Sequence, residues 1–192
     1  GTSFASNSPV SIYYNPASFV PKKNIEYHYT NYDFQWLSAL TSDIFYNYNV
    51  NLMSYKSQKY PLNIMVAKSE ILLDLGDQTQ TDPIGDNNGI FSSFMTSDAT
   101  NISAGYQFSK IPLFISLGYG YKKVYQKLAD PPIGGLPTVD YSATTKLYDV
   151  GILLVFNIDD IIINKDVILD ANISLGYSKL NNGESISFFD TG

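Results

Sequence analysis

The sequence predicts an all-β protein, an antiparallel barrel whose strands cross a membrane. Three observations carry this: alternation of period two, strands longer than those of soluble sheets, and connections that alternate between short and long. In a strand, successive side chains point to opposite faces, so each alternating row marks one face of a sheet. The strands are expected at 24–32, 43–55, 61–73, 98–109, 112–127, 140–156 and 166–179.

In 43–55, Ile44, Tyr46, Tyr48, Val50 and Leu52 alternate with Phe45, Asn47, Asn49, Asn51 and Met53. In 98–109 the rows are Ile102, Ala104, Tyr106 and Phe108 against Asn101, Ser103, Gly105 and Gln107. Segment 112–127 sets Leu113, Ile115, Leu117, Tyr119 and Tyr121 against Phe114, Ser116, Gly118, Gly120 and Lys122. Segment 166–179 sets Val167, Leu169, Ala171, Ile173, Leu175 and Tyr177 against Ile168, Asp170, Asn172, Ser174, Gly176 and Ser178. In each strand the first row is expected to face lipid and the second the barrel interior. A soluble antiparallel sandwich alternates as well. Two details oppose it: the polar rows are mostly Asn, Ser, Gly and Gln, and apolar rows end in Tyr119, Tyr121 and Tyr177, as an interfacial aromatic girdle does.

The turns expected at 56–60 and 110–111 are short, and 157–165 is intermediate. Long loops are expected at 33–42, 74–97 and 128–139, with a tail at 180–192. Short turns on one rim and long loops on the other are the habit of outer-membrane barrels. Seven strands are too few to close one, and an open edge in lipid leaves unpaired backbone groups. The chain is therefore expected to be incomplete, with 1–23 a segment inside or beneath the barrel and 24–192 part of its wall.

Composition agrees. The chain is 44% hydrophobic and 16% charged, which excludes a disordered type. Sixteen Tyr and eleven Phe favour strands. Every basic residue is Lys, and a net charge of −6 excludes a phosphate-backbone binder, so no nucleic-acid partner is expected. The absence of Cys removes disulfides, thiolate metal sites and Cys nucleophiles. The longest apolar runs, such as Val150 to Phe156, fall far short of the roughly 20 residues of a membrane-spanning helix.

No catalytic constellation, cofactor site or metal site is expected, and no enzyme activity. The single His, His28, reads as a rim- or interior-facing polar residue, since no second His supports a metal site. Segment 74–89 is rich in Asp and Asn, which suit calcium, but its spacing is not that of an EF-hand and turn formation explains it equally. Lys122, Asp149, Asp170 and Asn172 fall on interior-facing rows, where they are expected either to line a solute path or bind an internal plug segment, or simply to pair with one another or with water. Asn15, Pro16 and Ala17 are expected to form a structural motif, a turn anchoring the N-terminal segment near the periplasmic mouth, because Pro fixes φ and removes a donor.

Several motifs occur in a recognisable order. They are Gly1-Thr2-Ser3-Phe4-Ala5, then Tyr13-Tyr14-Asn15-Pro16-Ala17, then Ser97-Asp98-Ala99-Thr100-Asn101, Tyr148-Asp149-Val150-Gly151 and Asn181-Asn182-Gly183. Together they resemble the FadL-like outer-membrane proteins, particularly the PorV/PorQ branch of Bacteroidetes. The resemblance implies a barrel of about fourteen strands in the bacterial outer membrane. It further implies a non-enzymatic part in type IX secretion, receiving or escorting exported proteins, with membrane lipid and other secretion-machinery or surface proteins as partners. A second reading is a FadL-like transporter of hydrophobic compounds, and a third is a soluble or surface β-domain with an adhesive role.

Overall fold

The computed structural model describes residues 8–35, 44–81, 84–85, 87–128, 141–164 and 167–186. A short 3-10 helix, Pro9–Tyr13, leads into an irregular stretch and then seven strands. These are β1 (Ile25–Gln35), β2 (Phe45–Lys56), β3 (Leu62–Thr81), β4 (Asn87–Gln107), β5 (Leu113–Lys127), β6 (Ser142–Asn164) and β7 (Val167–Gly183). They pair in sequence order as one antiparallel sheet, so every neighbour in space is a neighbour in sequence. Within the described residues β1 and β7 each have one partner strand, and the sheet is open.

The expected positions of the seven strands hold, but their lengths change at two hairpins. The expected 74–97 loop is instead continued pairing, with Asp77 opposite Ser92 and Thr81 opposite Asn87. A bulge accommodates Gly76 at φ 77°, where its N–H donates to Asp74 Oδ1 at 2.9 Å, and Ser92 Oγ donates to Asp77 Oδ1 at 2.7 Å. Turn-forming residues read as a loop, yet the ladder asks only for a partner strand, and the opposing chain supplies one. The connection expected at 157–165 is likewise mostly strand, since β6 runs to Asn164. The loops expected at 33–42 and 128–139 lie largely outside the described residues, as do Gly1-Thr2-Ser3-Phe4-Ala5, Asp82, Pro83 and Asp86.

The sheet's two faces differ. One carries the N-terminal segment, whose Ile12 and Phe19 pack with Tyr48, Val50, Leu52 and Met65 in a buried cluster. A second cluster joins Ala17 to Phe114, Leu153 and Val155. Full burial of side chains such as Phe19 and Ile12 stabilises by roughly 1.5–3 kcal/mol each. The other face is open. Along one pairing line it presents Tyr27, Met53, Val66, Ile102, Tyr119 and Val150, all exposed.

This arrangement corrects the faces expected for β2. Tyr48, Val50 and Leu52 are buried beneath the N-terminal segment, while Asn51 and Met53 lie on the open face. On that face Tyr27 Oη donates to Asn51 Oδ1 at 2.8 Å, and Asn47 Nδ2 donates to Asn31 Oδ1 at 3.0 Å. The alternation of β2 was legible, but its direction depends on what covers it. Ile12 and Phe19 require an apolar patch, and β2 supplies that patch.

Candidate functional site

The N-terminal segment crosses the covered face at β5 and β6. Asn15 and Ser18 are fully buried, and Ala17 is buried beside them. Asn15 Oδ1 accepts the Ala17 N–H at 2.9 Å, and its Nδ2 donates to the Ile152 carbonyl at 3.2 Å. The first bond closes an Asx turn around Pro16, a residue with no N–H of its own to satisfy. Ser18 Oγ donates to Ser11 Oγ at 2.8 Å, and Ser178 Oγ donates to the Tyr14 carbonyl at 2.7 Å. Residues 11–18 are thus tied to themselves and to β6 and β7.

Two glycines make room for this turn. Gly118 and Gly151 are direct cross-strand partners. A Cβ at Gly118 would overlap the Pro16 carbonyl and the Ala17 nitrogen, and one at Gly151 would overlap the Asn15 side-chain oxygen. The glycine pair is a slot in which Asn15-Pro16-Ala17 lies against the sheet backbone.

Further along β5 and β6, towards the 128–141 connection, the covered face is ionic. Lys122 Nζ lies 2.6 Å from Asp149 Oδ2, with Asp149 1% exposed and Lys122 8%. Lys122 Nζ also donates to Asn181 Oδ1 at 3.1 Å, and the Asn181 N–H donates to Asp149 Oδ1 at 2.7 Å. The Tyr13 ring lies over the ammonium group at 5.6 Å. A buried ion pair survives only when its donors and acceptors find partners; here Asp149 Oδ1 accepts the Asn181 N–H, while Oδ2 meets the Lys122 ammonium alone and has no hydrogen bond among the described residues.

Asn181 reaches this cluster through a backbone irregularity. Tyr148 pairs with Asn182 and Val150 with Lys179, so Leu180 and Asn181 together oppose Asp149. Asn181 takes φ 54°, the left-handed region that Asn tolerates better than most residues. The bulge turns its amide and backbone N–H towards Lys122 and Asp149. Sequence reasoning placed Asn181 only in the Asn181-Asn182-Gly183 motif that ends an alternating strand, and gave it no part in a site. Asn101, buried beside Gly120, was also not singled out, and its Oδ1 has no hydrogen-bond partner among the described residues.

Of the interior candidates, Lys122 and Asp149 come together. Asn172 lies nearer the opposite rim, donating to Asn157 Oδ1 at 2.6 Å. Asp170 is in β7, with its side chain outside the described residues. His28 lies 3.0 Å from Glu26 and packs edge-on against Phe19 at 5.3 Å. No cluster of three metal-ligating side chains occurs among the described residues, and those of Asp74 and Asp77 are taken up by local bonds.

Two cavities flank the N-terminal segment on the covered face. One, of about 350 Å³, lies by Val20, Phe114, Val155, Asn157 and Asn172. The other, of about 240 Å³, lies by Ile12, Ile71, Val124, Leu147, Asn101 and Lys122. The segment runs between them, with Ile12 and Phe19 packed on apolar side chains of β2 and β3.

Fold and site together define an antiparallel β protein that covers one face of its sheet with its own N-terminal turn. No protein-family model matches the chain, and neither a curated protein nor a solved structure matches it.

Proposed function

We propose that this chain is wall and interior plug of a bacterial outer-membrane β-barrel of the PorV/PorQ kind, a non-enzymatic component of type IX secretion. The observation that carries the membrane part is the open face. On β5 it presents Leu113, Ile115, Leu117, Tyr119 and Tyr121, and on β6 Phe156, Leu154, Ile152, Val150 and Tyr148. Five same-face residues extend about 27 Å along a strand, the scale of the roughly 25 Å apolar band of such barrels. Rings gather at both ends, with Tyr148 between Tyr119 and Tyr121 at one and Tyr106 against Phe108 at the other. Across the six strands β2 to β7, about 4.8 Å apart, the band covers roughly 650 Å², above the roughly 300–600 Å² of the largest apolar patch on a typical soluble monomer. It narrows on β2 and β3, where Asn51 and the Lys68–Glu70 pair mark its edge.

In a bilayer the edges of β1 and β7 require pairing, so this reading includes strands beyond these seven. The secretion role rests on the motif resemblance, with the long-loop rim as the protein-binding surface. The runner-up is a FadL-like transporter of hydrophobic compounds, favoured by the two cavities beside apolar Ile12, Phe114 and Val155. The plug argues for the first reading, because Ile12 and Phe19 already cover the apolar cluster of Tyr48, Val50, Leu52 and Met65.

The membrane claim is tested by extraction: the protein is expected to require detergent and to migrate differently on gels before and after heating. Solubility without detergent defeats it. Copurification then separates the roles, since fatty-acid binding without protein partners would sink the secretion reading.

A further inference from the structure

We infer that the cavity of about 350 Å³ beside Val20 and Phe114 binds a saccharide, a ligand whose hydroxyls both donate and accept hydrogen bonds. The cavity lies on the covered face, at the end of the sheet that carries the short turns, and its size is that of small-molecule pockets, roughly 300–1,000 Å³. The inference goes beyond the membrane-wall reading and does not depend on it, because it concerns the opposite face of the sheet.

The polar lining is mostly amide. Asn63, at the start of β3, lines the cavity and is only 7% exposed, yet its side chain makes no hydrogen bond among the described residues. A buried amide without a partner is costly, and a ligand hydroxyl in the cavity supplies one. Gln107 Nε2 donates to the Leu113 carbonyl at 3.1 Å, which leaves its Oε1 unspent. Asn172 Nδ2 donates to Asn157 Oδ1 at 2.6 Å, which leaves the Asn157 amide nitrogen and the Asn172 oxygen. Donors and acceptors together thus line one space.

The floor is apolar. Phe114 and Val155 are cross-strand partners, and Val20 and Pro21 of the N-terminal segment stand against them. Gly105, the cross-strand partner of Asn63, admits the Phe114 ring, which a Cβ there would overlap. A sugar ring carries C–H faces as well as hydroxyls, and this lining meets both. Lys22 and Lys56, exposed at the edge, add ammonium donors. Glu26 nearby is taken up by the Lys22 and Lys23 N–H groups and by His28. A small anion would suit the two lysines but would face the amide oxygens of Asn63, Gln107 and Asn172. A fatty chain would leave every amide unanswered.

The test is saturation-transfer NMR on the full chain in a detergent without sugar headgroups. Glucose, N-acetylglucosamine and maltose are the probes, with octanoate and inorganic phosphate as controls. At least one sugar is expected to bind saturably at millimolar concentration. N63L, which keeps the side-chain volume and removes both hydrogen-bonding groups, should weaken that binding on the order of tenfold. N157A should weaken it in the same direction, and it decides the matter if N63L lowers the denaturation midpoint. Absence of saturable binding by every sugar overturns the inference, as does binding that these variants leave unchanged. Octanoate that saturates where the sugars do not would assign the cavity to hydrophobic transport, and phosphate that does so would assign it to an anion; either result overturns the saccharide site.

Discussion

Gly118 on β5 is paired directly with Gly151 on β6, and their missing side chains are the space that Asn15-Pro16-Ala17 occupies. A sheet can accept another backbone this closely only where two neighbouring positions both lack a Cβ. The N-terminal segment is therefore held at one register along β5 and β6, with Ile12 and Phe19 fixed over β2 and β3 in consequence.

Filling the slot should release the segment. G151V places a branched side chain where Asn15 lies, and overpacking of this kind costs about 1–3 kcal/mol. The expected result is rapid proteolytic cleavage within residues 8–24, with cross-strand pairing of β2–β6 retained. Proteolysis no faster than in the unaltered chain would show that the segment is not seated there.

The Asx turn offers a milder test. N15A removes both the bond to the Ala17 N–H and the bond to the Ile152 carbonyl. About 1–3 kcal/mol is expected for the buried groups left unpaired, read as a lower denaturation midpoint. N15D keeps the turn acceptor but loses the donor, so it should fall no closer to the unaltered protein than N15A if the Ile152 bond dominates.

Lys122 and Asp149 should behave as a unit. K122M leaves Asp149 buried and uncompensated, which costs roughly 3–5 kcal/mol, whereas K122M/D149L removes both charges and should recover most of that loss. A double-mutant cycle on denaturation midpoints measures the coupling. Additive losses would mean that the pair carries no interaction of its own.

On the open face, cost should depend on depth. L117K sits mid-band and is expected to destabilise folding into vesicles by about 2–4 kcal/mol, whereas T100K, level with Tyr121 at the rim of the band on β4, should cost about 0–1 kcal/mol. Equal, small effects at both sites would mean that water, not lipid, covers this face.

Much of this architecture was legible along the chain. Period-two rows, plain in four of the seven strands, marked the sheet, because a sheet with two unlike faces forces alternation whatever surrounds it. Lys122 and Asp149 were likewise expected on interior-facing positions, and the structure brings them together on one face of β5 and β6. Which row faces outward was not legible on β2, since alternation records two environments without naming them. Tyr48, Val50 and Leu52 face inward because Ile12 and Phe19, far away in sequence, cover them. Asn181 joins the ion pair only through a bulge that shifts register by one residue, and Asp77 and Ser92 lie in strand only because each is the other's partner. The Gly118–Gly151 slot belongs with these. Each glycine alone reads as a weak point in a strand, and only their pairing, beneath a turn a hundred residues away, makes them a seat. Local pattern determined the strands; contacts between distant segments decided the faces, the bulge and the seat, because no single stretch of chain encodes what will lie against it.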